Sequence, residues 1–186
     1  MEFQELIERR YSVRAYKPDD VPSDIIDKVL EAARLAPTAA NRQSFKLFVI
    51  KTAAFKDKLK KIYPQEWFVQ APCVIGICGI PEGNWVRRDG RNYTDVDSAI
   101  VMDHVILSAT DLGLGTCWVG AFDPDAARKF LDLPQDMEPI AFTPIGYPAD
   151  NPGIKKRKPI DELVRYITLF SNLKMSLKPV PDRQKV

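Results

Sequence analysis

Two clusters of basic side chains carry the plainest chemical potential in the chain. Arg9-Arg10-Tyr11-Ser12-Val13-Arg14 sets guanidinium groups beside a serine hydroxyl, a combination that grips a phosphate bidentately and then fixes its orientation. Lys155-Lys156-Arg157-Lys158 is the second, directly ahead of a helix predicted to begin near Pro159. Either run alone reads as solvated surface, but together they make a candidate split phosphate site. No glycine cradle competes for that role. In Gly113-Leu114-Gly115 the third glycine of a dinucleotide fingerprint would fall at Trp118, and the pair follows a helical pattern rather than a strand. A phosphate would therefore rest on side chains and helix ends. His104 is the single histidine, which removes His-based metal clusters and leaves little room for a Ser-His-Asp or Cys-His hydrolase. The three cysteines, Cys73, Cys78 and Cys117, form no C-x-x-C and read as reduced, buried thiols. No metal site is expected.

The elements that must position these groups follow from periodicity. Phe3, Leu6 and Ile7 predict a short amphipathic helix over residues 2 to 9, ending at the basic loop from Arg10 to Tyr16. Pro22-Ser23-Asp24 announces a second helix with Ile25, Ile26, Val29, Leu30 and Ala33 on one face, stopped at Pro37. Pro37 to Gln43 is loop, Phe45 to Ile50 a strand, Ala53 to about Ile62 a helix, and Cys73 to Cys78 a second strand. Residues 80 to 93 read as a long irregular loop. From Asp95 to Leu112 the residues are small or apolar on most faces, which demands a helix buried on most faces. A strand over Thr116 to Val119, a helix over Pro124 to Leu131 and a strand over Ile140 to Ile145 complete an order without strict βαβ alternation. That order predicts an α+β fold with a mixed or antiparallel central sheet flanked by helices. Residues 1 to 167 are expected to form the domain. Residues 168 to 186, with Pro179 and Pro181 and no amphipathic period, are expected to be a tail or an arm over a partner.

Composition narrows the function further. The chain has 186 residues, enough for one domain with its own core, and its 45% hydrophobic and 28% charged content is that of a globular protein. A net charge of +2 is too balanced for a protein dedicated to nucleic acid. The charge is uneven, with nine Lys and Arg against three Asp and Glu from Lys155 onward. MEFQELIERR lacks the apolar core of a signal peptide, and no run has the length of a membrane span, so a cytoplasmic protein without a membrane partner is expected.

Four motifs, in order, resemble the nitroreductase family of flavoenzymes: Arg10-Tyr11-Ser12-Val13-Arg14; Ala36-Pro37-Thr38-Ala39-Ala40-Asn41-Arg42-Gln43; Gly113-Leu114-Gly115-Thr116-Cys117-Trp118-Val119-Gly120; and Gly146-Tyr147-Pro148 followed by Lys155-x-Arg157-x-Pro159. Their order and spacing are specific as a set. The resemblance implies a nitroreductase-like fold and a homodimer with an exchanged C-terminal segment. It implies FMN at the dimer interface and a hydride passing from NADH or NADPH through flavin N5 to a small oxidised acceptor by a ping-pong route. It further implies that Arg10 and Ser12, within the Arg10-Tyr11-Ser12 run, and Lys155 and Arg157 hold the phosphate and ribityl chain. Arg14 would lie at the pyrimidine edge, where a fixed cation favours reduction. Gln65 is an amide candidate for that same edge. Pro37, Thr38, Ala39, Ala40 and Asn41 would wall the ring from the second subunit, and the Val119-Gly120 backbone would face N5. No side chain is required as an obligatory acid or base. Ser44-Phe45 replaces the commoner Pro-Trp after Gln43, a departure on the substrate side.

Structural readings stand beside these. Arg14 can pair with Asp19 or Asp20, Pro37-Thr38 can be a plain helix stop, and Gly113-Leu114-Gly115 a C-cap. His104 and Cys117 read as core residues. Trp67, Trp85 and Tyr93 read either as substrate-pocket lining or as core anchors. The competing functional class is a protein that holds FMN or senses a nucleotide without turnover.

Overall fold

Cys73–Gly79, apolar or glycine at every position and buried throughout, forms the strand β2 on which the rest is assembled. The computed structural model describes residues 1–167. β2 pairs antiparallel with β1 (Phe45–Lys51) on one side and with β4 (Glu138–Gly146) on the other. The two-residue β3 (Gly115–Thr116) pairs antiparallel with the far edge of β4, so the order is β1-β2-β4-β3. Of the mixed or antiparallel sheet expected, the named strands form the antiparallel version. The only parallel bridge among the described residues joins Ser12 to Thr116.

Alternation along the strands sends side chains to two cores. Cys73, Ile75 and Ile77 of β2, with Ala141 and Ile145 of β4, pack against α2 (Ser23–Arg34) and α4 (Thr94–Asp111). Val74, with Phe142 of β4 and Ile50 of β1, packs against α3 (Thr52–Ile62) and α5 (Pro124–Leu131) on the other face. Phe142 fits because Gly76 lies under its ring, where a Cβ would come within 2.7 Å of Cε1. α4 is buried on most faces, as its composition requires, and even its polar Asp97, Ser98 and Thr110 are inside. α5 has a full set of end signals: the Asp123 carboxylate accepts the Ala126 N–H at 2.9 Å, Pro124 opens the first turn, and Asp132 closes in the left-handed region.

Three expectations are revised. The strand predicted over Thr116 to Val119 shrinks to Gly115–Thr116, because the Cys117 N–H turns to Thr143 Oγ1 at 3.2 Å and leaves the ladder. Val119 rejoins only through a single bridge to Phe142. Residues 80 to 93 are a built structure rather than an irregular loop. A Val86–Asn92 bridge closes them, and Asn84 and Asn92 tie them to Thr94 and Pro81. The helix predicted near Pro159 is the single turn α6 (Ile160–Leu163).

Residues 1–152 form one compact unit, with α1 (Phe3–Arg9) at its start, and the chain from Gly153 forms a second. The tail or arm expected over 168 to 186 lies outside the described residues. Among the described residues no helix is long and apolar enough to cross a membrane.

Candidate functional site

The basic loop after α1 is laid along β3 and the β4 exit by main-chain contacts. The Val13 N–H donates to Thr116 O at 2.9 Å, Lys17 N–H to Tyr147 O at 2.8 Å, and Ala149 N–H to Ala15 O at 2.9 Å. Gly115 permits the approach, since a Cβ there would stand 2.6 Å from Val13 Cγ2. Asp150 fixes the loop from the opposite side. One carboxylate oxygen accepts the Arg14 N–H at 2.8 Å, and the other accepts the Tyr11 hydroxyl at 3.1 Å. Burial, followed by the hydrogen bond to Asp150 and its negative charge, pushes the Tyr11 phenol up to about 12, so it stays protonated as a donor. Three motifs far apart in the chain thus become one surface.

On that surface Arg9, Arg10 and Arg14 make no ion pair among the described residues. Arg9 and Arg10 border a cleft of about 50 Å³ completed by Tyr11, Gly113, Gly115 and Pro148 among others. Arg14 pairs with neither Asp19 nor Asp20. Its guanidinium donates to Ser12 O at 3.4 Å and lies 5.9 Å from the centre of the Trp67 ring. Trp67 is half-buried against Tyr63 and Phe68 at 5.5 and 6.4 Å, and so serves as an anchor beneath a cation. Gln65, two residues earlier, is exposed.

The segment that ends α4 divides its work. Gly113, at φ +78°, donates to Thr110 O, and the Leu114 N–H donates to Ala109 O. These two bonds are a helix-terminating motif, so Gly113 is a C-cap and Gly115 is the close-approach residue. Farther on, the Val119 N–H donates to Phe142 O at 2.8 Å and is consumed by the sheet. The exposed Gly120 N–H has no hydrogen-bond partner among the described residues, and the 41% exposed Trp118 indole lies 3.4 Å from where its Cβ would be. Cys117 beside it is buried, and that burial pushes its thiol up against the opposing charge of Arg14. His104 Nδ1 meets Ile100 O at 2.9 Å within α4 and is a satisfied helix residue.

The 37–43 loop is bent by its backbone. Ala40, Asn41 and Gln43 have φ of 50°, 53° and 54°, three left-handed non-glycine residues within four positions. Such conformations cost of order 1–3 kcal/mol each and persist where surrounding contacts over-determine them. Those contacts are visible: the Gln43 N–H donates to Thr38 Oγ1, and the Ala39 N–H donates at 2.9 Å to the carboxylate of Asp97. Asp97 was not singled out by sequence reasoning. It is 2% exposed, has no ion-pair partner among the described residues, and its second oxygen accepts Asn84 Nδ2 at 3.3 Å. One buried carboxylate in the first turn of α4, where the helix dipole favours it, joins the 37–43 loop to the 80–93 loop. The sole signal was an acid inside an apolar helix pattern. No hydrogen bond joins the 37–41 loop to residues 10–14 among the described residues.

Lys155 and Arg157 belong to the second unit, where both are exposed and Arg157 Nη1 donates to Lys156 O at 2.9 Å.

Comparison with known proteins decides the family. The nitroreductase family model matches residues 7–73 and 60–147. The chain belongs to the nitroreductase family. A nitroreductase family protein of Clostridium difficile 630 is 40% identical, with a TM-score of 0.83 over 91% of this chain and all of the other. A Methanothermobacter thermautotrophicus protein, whose name carries the terms NADH dehydrogenase and NAD(P)H nitroreductase, is 31% identical over 83% of this chain and 82% of its own. A Clostridium difficile R20291 protein named as an FMN-dependent nitroreductase shares the fold at 24% identity. Its TM-score is 0.72, covering 87% of this chain and 96% of the other. The α+β nitroreductase fold is therefore that of this chain, and membership makes it an oxidoreductase.

Proposed function

We propose that this nitroreductase family member holds FMN in a homodimer. It would pass reducing equivalents from NADH or NADPH to a small oxidised acceptor, such as a nitroaromatic or a quinone, by a ping-pong route. The observation that carries the reading is the cation surface: Arg9 at the end of α1, with Arg10 and Arg14 on the loop pinned by Val13, Gly115 and Asp150, all three without ion-pair partners among the described residues. An anionic phosphate is the group such a surface suits. The names of the relatives agree with a nicotinamide donor and, for one fold neighbour, with FMN.

Bound FMN supplies two-electron redox chemistry at its N5 atom. The chain's own residues do the rest. Arg10 and Ser12 hold the phosphate end, a task that the family likeness also gives to Lys155 and Arg157. Arg14, steadied over Trp67, places a fixed positive charge at the pyrimidine edge, with Gln65 as the amide candidate there. Tyr11 is committed to Asp150 and serves as an anchor for the loop. Gly120 has the available N–H of the Val119-Gly120 pair for the N5 side. Pro37 to Asn41 wall the ring from the second subunit, held rigid by Asp97. With His104 bonded inside α4, no acid or base side chain is assigned to the reaction.

The test is the visible spectrum of desalted protein before and after anaerobic NADH or NADPH, with the released chromophore weighed by mass spectrometry and the particle mass by light scattering. Flavin bands that bleach, FMN on denaturation and a dimer mass are expected. A colourless protein that takes up no added FMN would overturn the reading. Bound FMN without steady NAD(P)H consumption against any quinone or nitroaromatic would make it a flavin holder instead.

A further inference from the structure

On the sheet face opposite α4, a groove of about 280 Å³ opens between α3 and α5, lined by Lys58, Lys61, Ala126, Lys129 and Phe130. It shares no residue with the cleft beside Arg10. Every charged side chain that lines it is a lysine, and none of these three forms an ion pair among the described residues, whereas nearby Lys60 is neutralised by Glu66 at 2.6 Å. Asp57 and Asp125 lie on the same two helices, but neither lines the groove. The apolar lining is Ala126 and Phe130, and Phe55, which does not itself line the groove, backs Phe130. Phe55 and Phe130 meet edge to face, 5.3 Å apart at 64°, and the Lys58 ammonium lies 5.8 Å from the centre of each ring. Phe55 stands where α3 departs from helical geometry and is 39% exposed.

We propose that this groove is a second binding site, for a small aromatic anion of one ring or two fused rings bearing a carboxylate or comparable acid. Three lysine side chains line one cavity, their positive charges repel one another, and an anion seated among them lowers that repulsion. A neutral apolar guest would leave the repulsion in place. A bare inorganic anion would leave the Phe130 surface that lines the groove uncovered, whereas an aromatic ring can add an offset or edge-to-face contact there. The volume is near the lower end of ligand pockets, about 300 Å³, which suits a small ring system and excludes a dinucleotide.

The test titrates the purified protein, carrying whatever cofactor it retains, with 2-naphthoate by calorimetry. The comparison is a Lys58→Gln/Lys129→Gln variant, both positions being exposed and outside the cofactor surface described above. Saturable binding to the unaltered protein and a loss of about tenfold or more in the variant are expected, with equal flavin content in the two. Added salt should weaken binding. Identical 2-naphthoate titrations for the variant and the unaltered protein would overturn the proposal, because aromatic anions then go only to another site. So would equal affinity for neutral 2-naphthol, or displacement by equimolar inorganic phosphate, which would mark a plain cationic patch. None of these outcomes depends on whether FMN is the cofactor.

Discussion

Arg10 and Arg14 lie four residues apart on one loop, yet their surroundings separate their tasks. Arg10 borders the small cleft, while Arg14 is held over Trp67 by ring contact and a bond to Ser12 O. Replacing Arg10 by alanine removes a charge-assisted donor, so FMN affinity should fall by roughly tenfold or more, read from flavin retained after desalting. Unaltered retention would take Arg10 off the phosphate. Arg14→Ala should leave retention closer to normal and lower the flavin reduction potential, measured by dye equilibration, because the fixed cation that stabilises the reduced ring is gone. An unchanged potential would remove Arg14 from the ring edge. Both arginines were legible from residue type and spacing. That Val119 donates its N–H to Phe142 was not, because the donor's fate depends on a strand more than twenty residues away in sequence.

Among the elements, one tight contact, one left-handed loop residue and one clamp govern the site. Gly115→Ala would drive a Cβ into Val13, and the loop carrying Arg10 to Arg14 would have to retreat. A loss of about 1–3 kcal/mol in urea unfolding, with weakened FMN binding, is expected. Ala40 is the opposite case: its φ of 50° suits glycine, so Ala40→Gly should be neutral or stabilise by up to about 1 kcal/mol in the same assay. Asp97→Ala strips the acceptor from the Ala39 N–H and from Asn84 Nδ2, and should cost about 1–3 kcal/mol. Limited proteolysis should then cut within residues 37–43 or 80–93, and resistance at both loops would show that Asp97 does not clamp them. The long elements were readable because their periods or their uniformly apolar composition bury a face. The 80–93 segment looked irregular because its order resides in Asn84 and Asn92 side-chain bonds, which no period records.

For the whole molecule, Tyr11 and Tyr16 link stability to alkaline pH. Burial is the first cause in both, and it raises the Tyr11 phenol from 10.0 to about 12 and the Tyr16 phenol further still. Between those values the unfolded chain has released a proton that the folded chain keeps. Their contribution is therefore fully present below about pH 10 and lost as pH rises through the folded values. Urea midpoints taken across that window should fall, and Tyr11→Phe should flatten part of the slope; an unaltered slope would mean that Tyr11 does not titrate late. The residue order alone determined the α+β class, the extents of α2, α4 and β2, the cation clusters and the family likeness. Each of these rests on local period, composition or the types of neighbouring residues. Only tertiary structure decided that Asp150 and Gly115 hold the basic loop and that Asp97 joins two loops. It also decided that Gly120 rather than Val119 has the available N–H, and that three lysines converge beside a phenylalanine pair. Those arrangements depend on distances between residues remote in sequence, and only the packing of helices onto a sheet sets them.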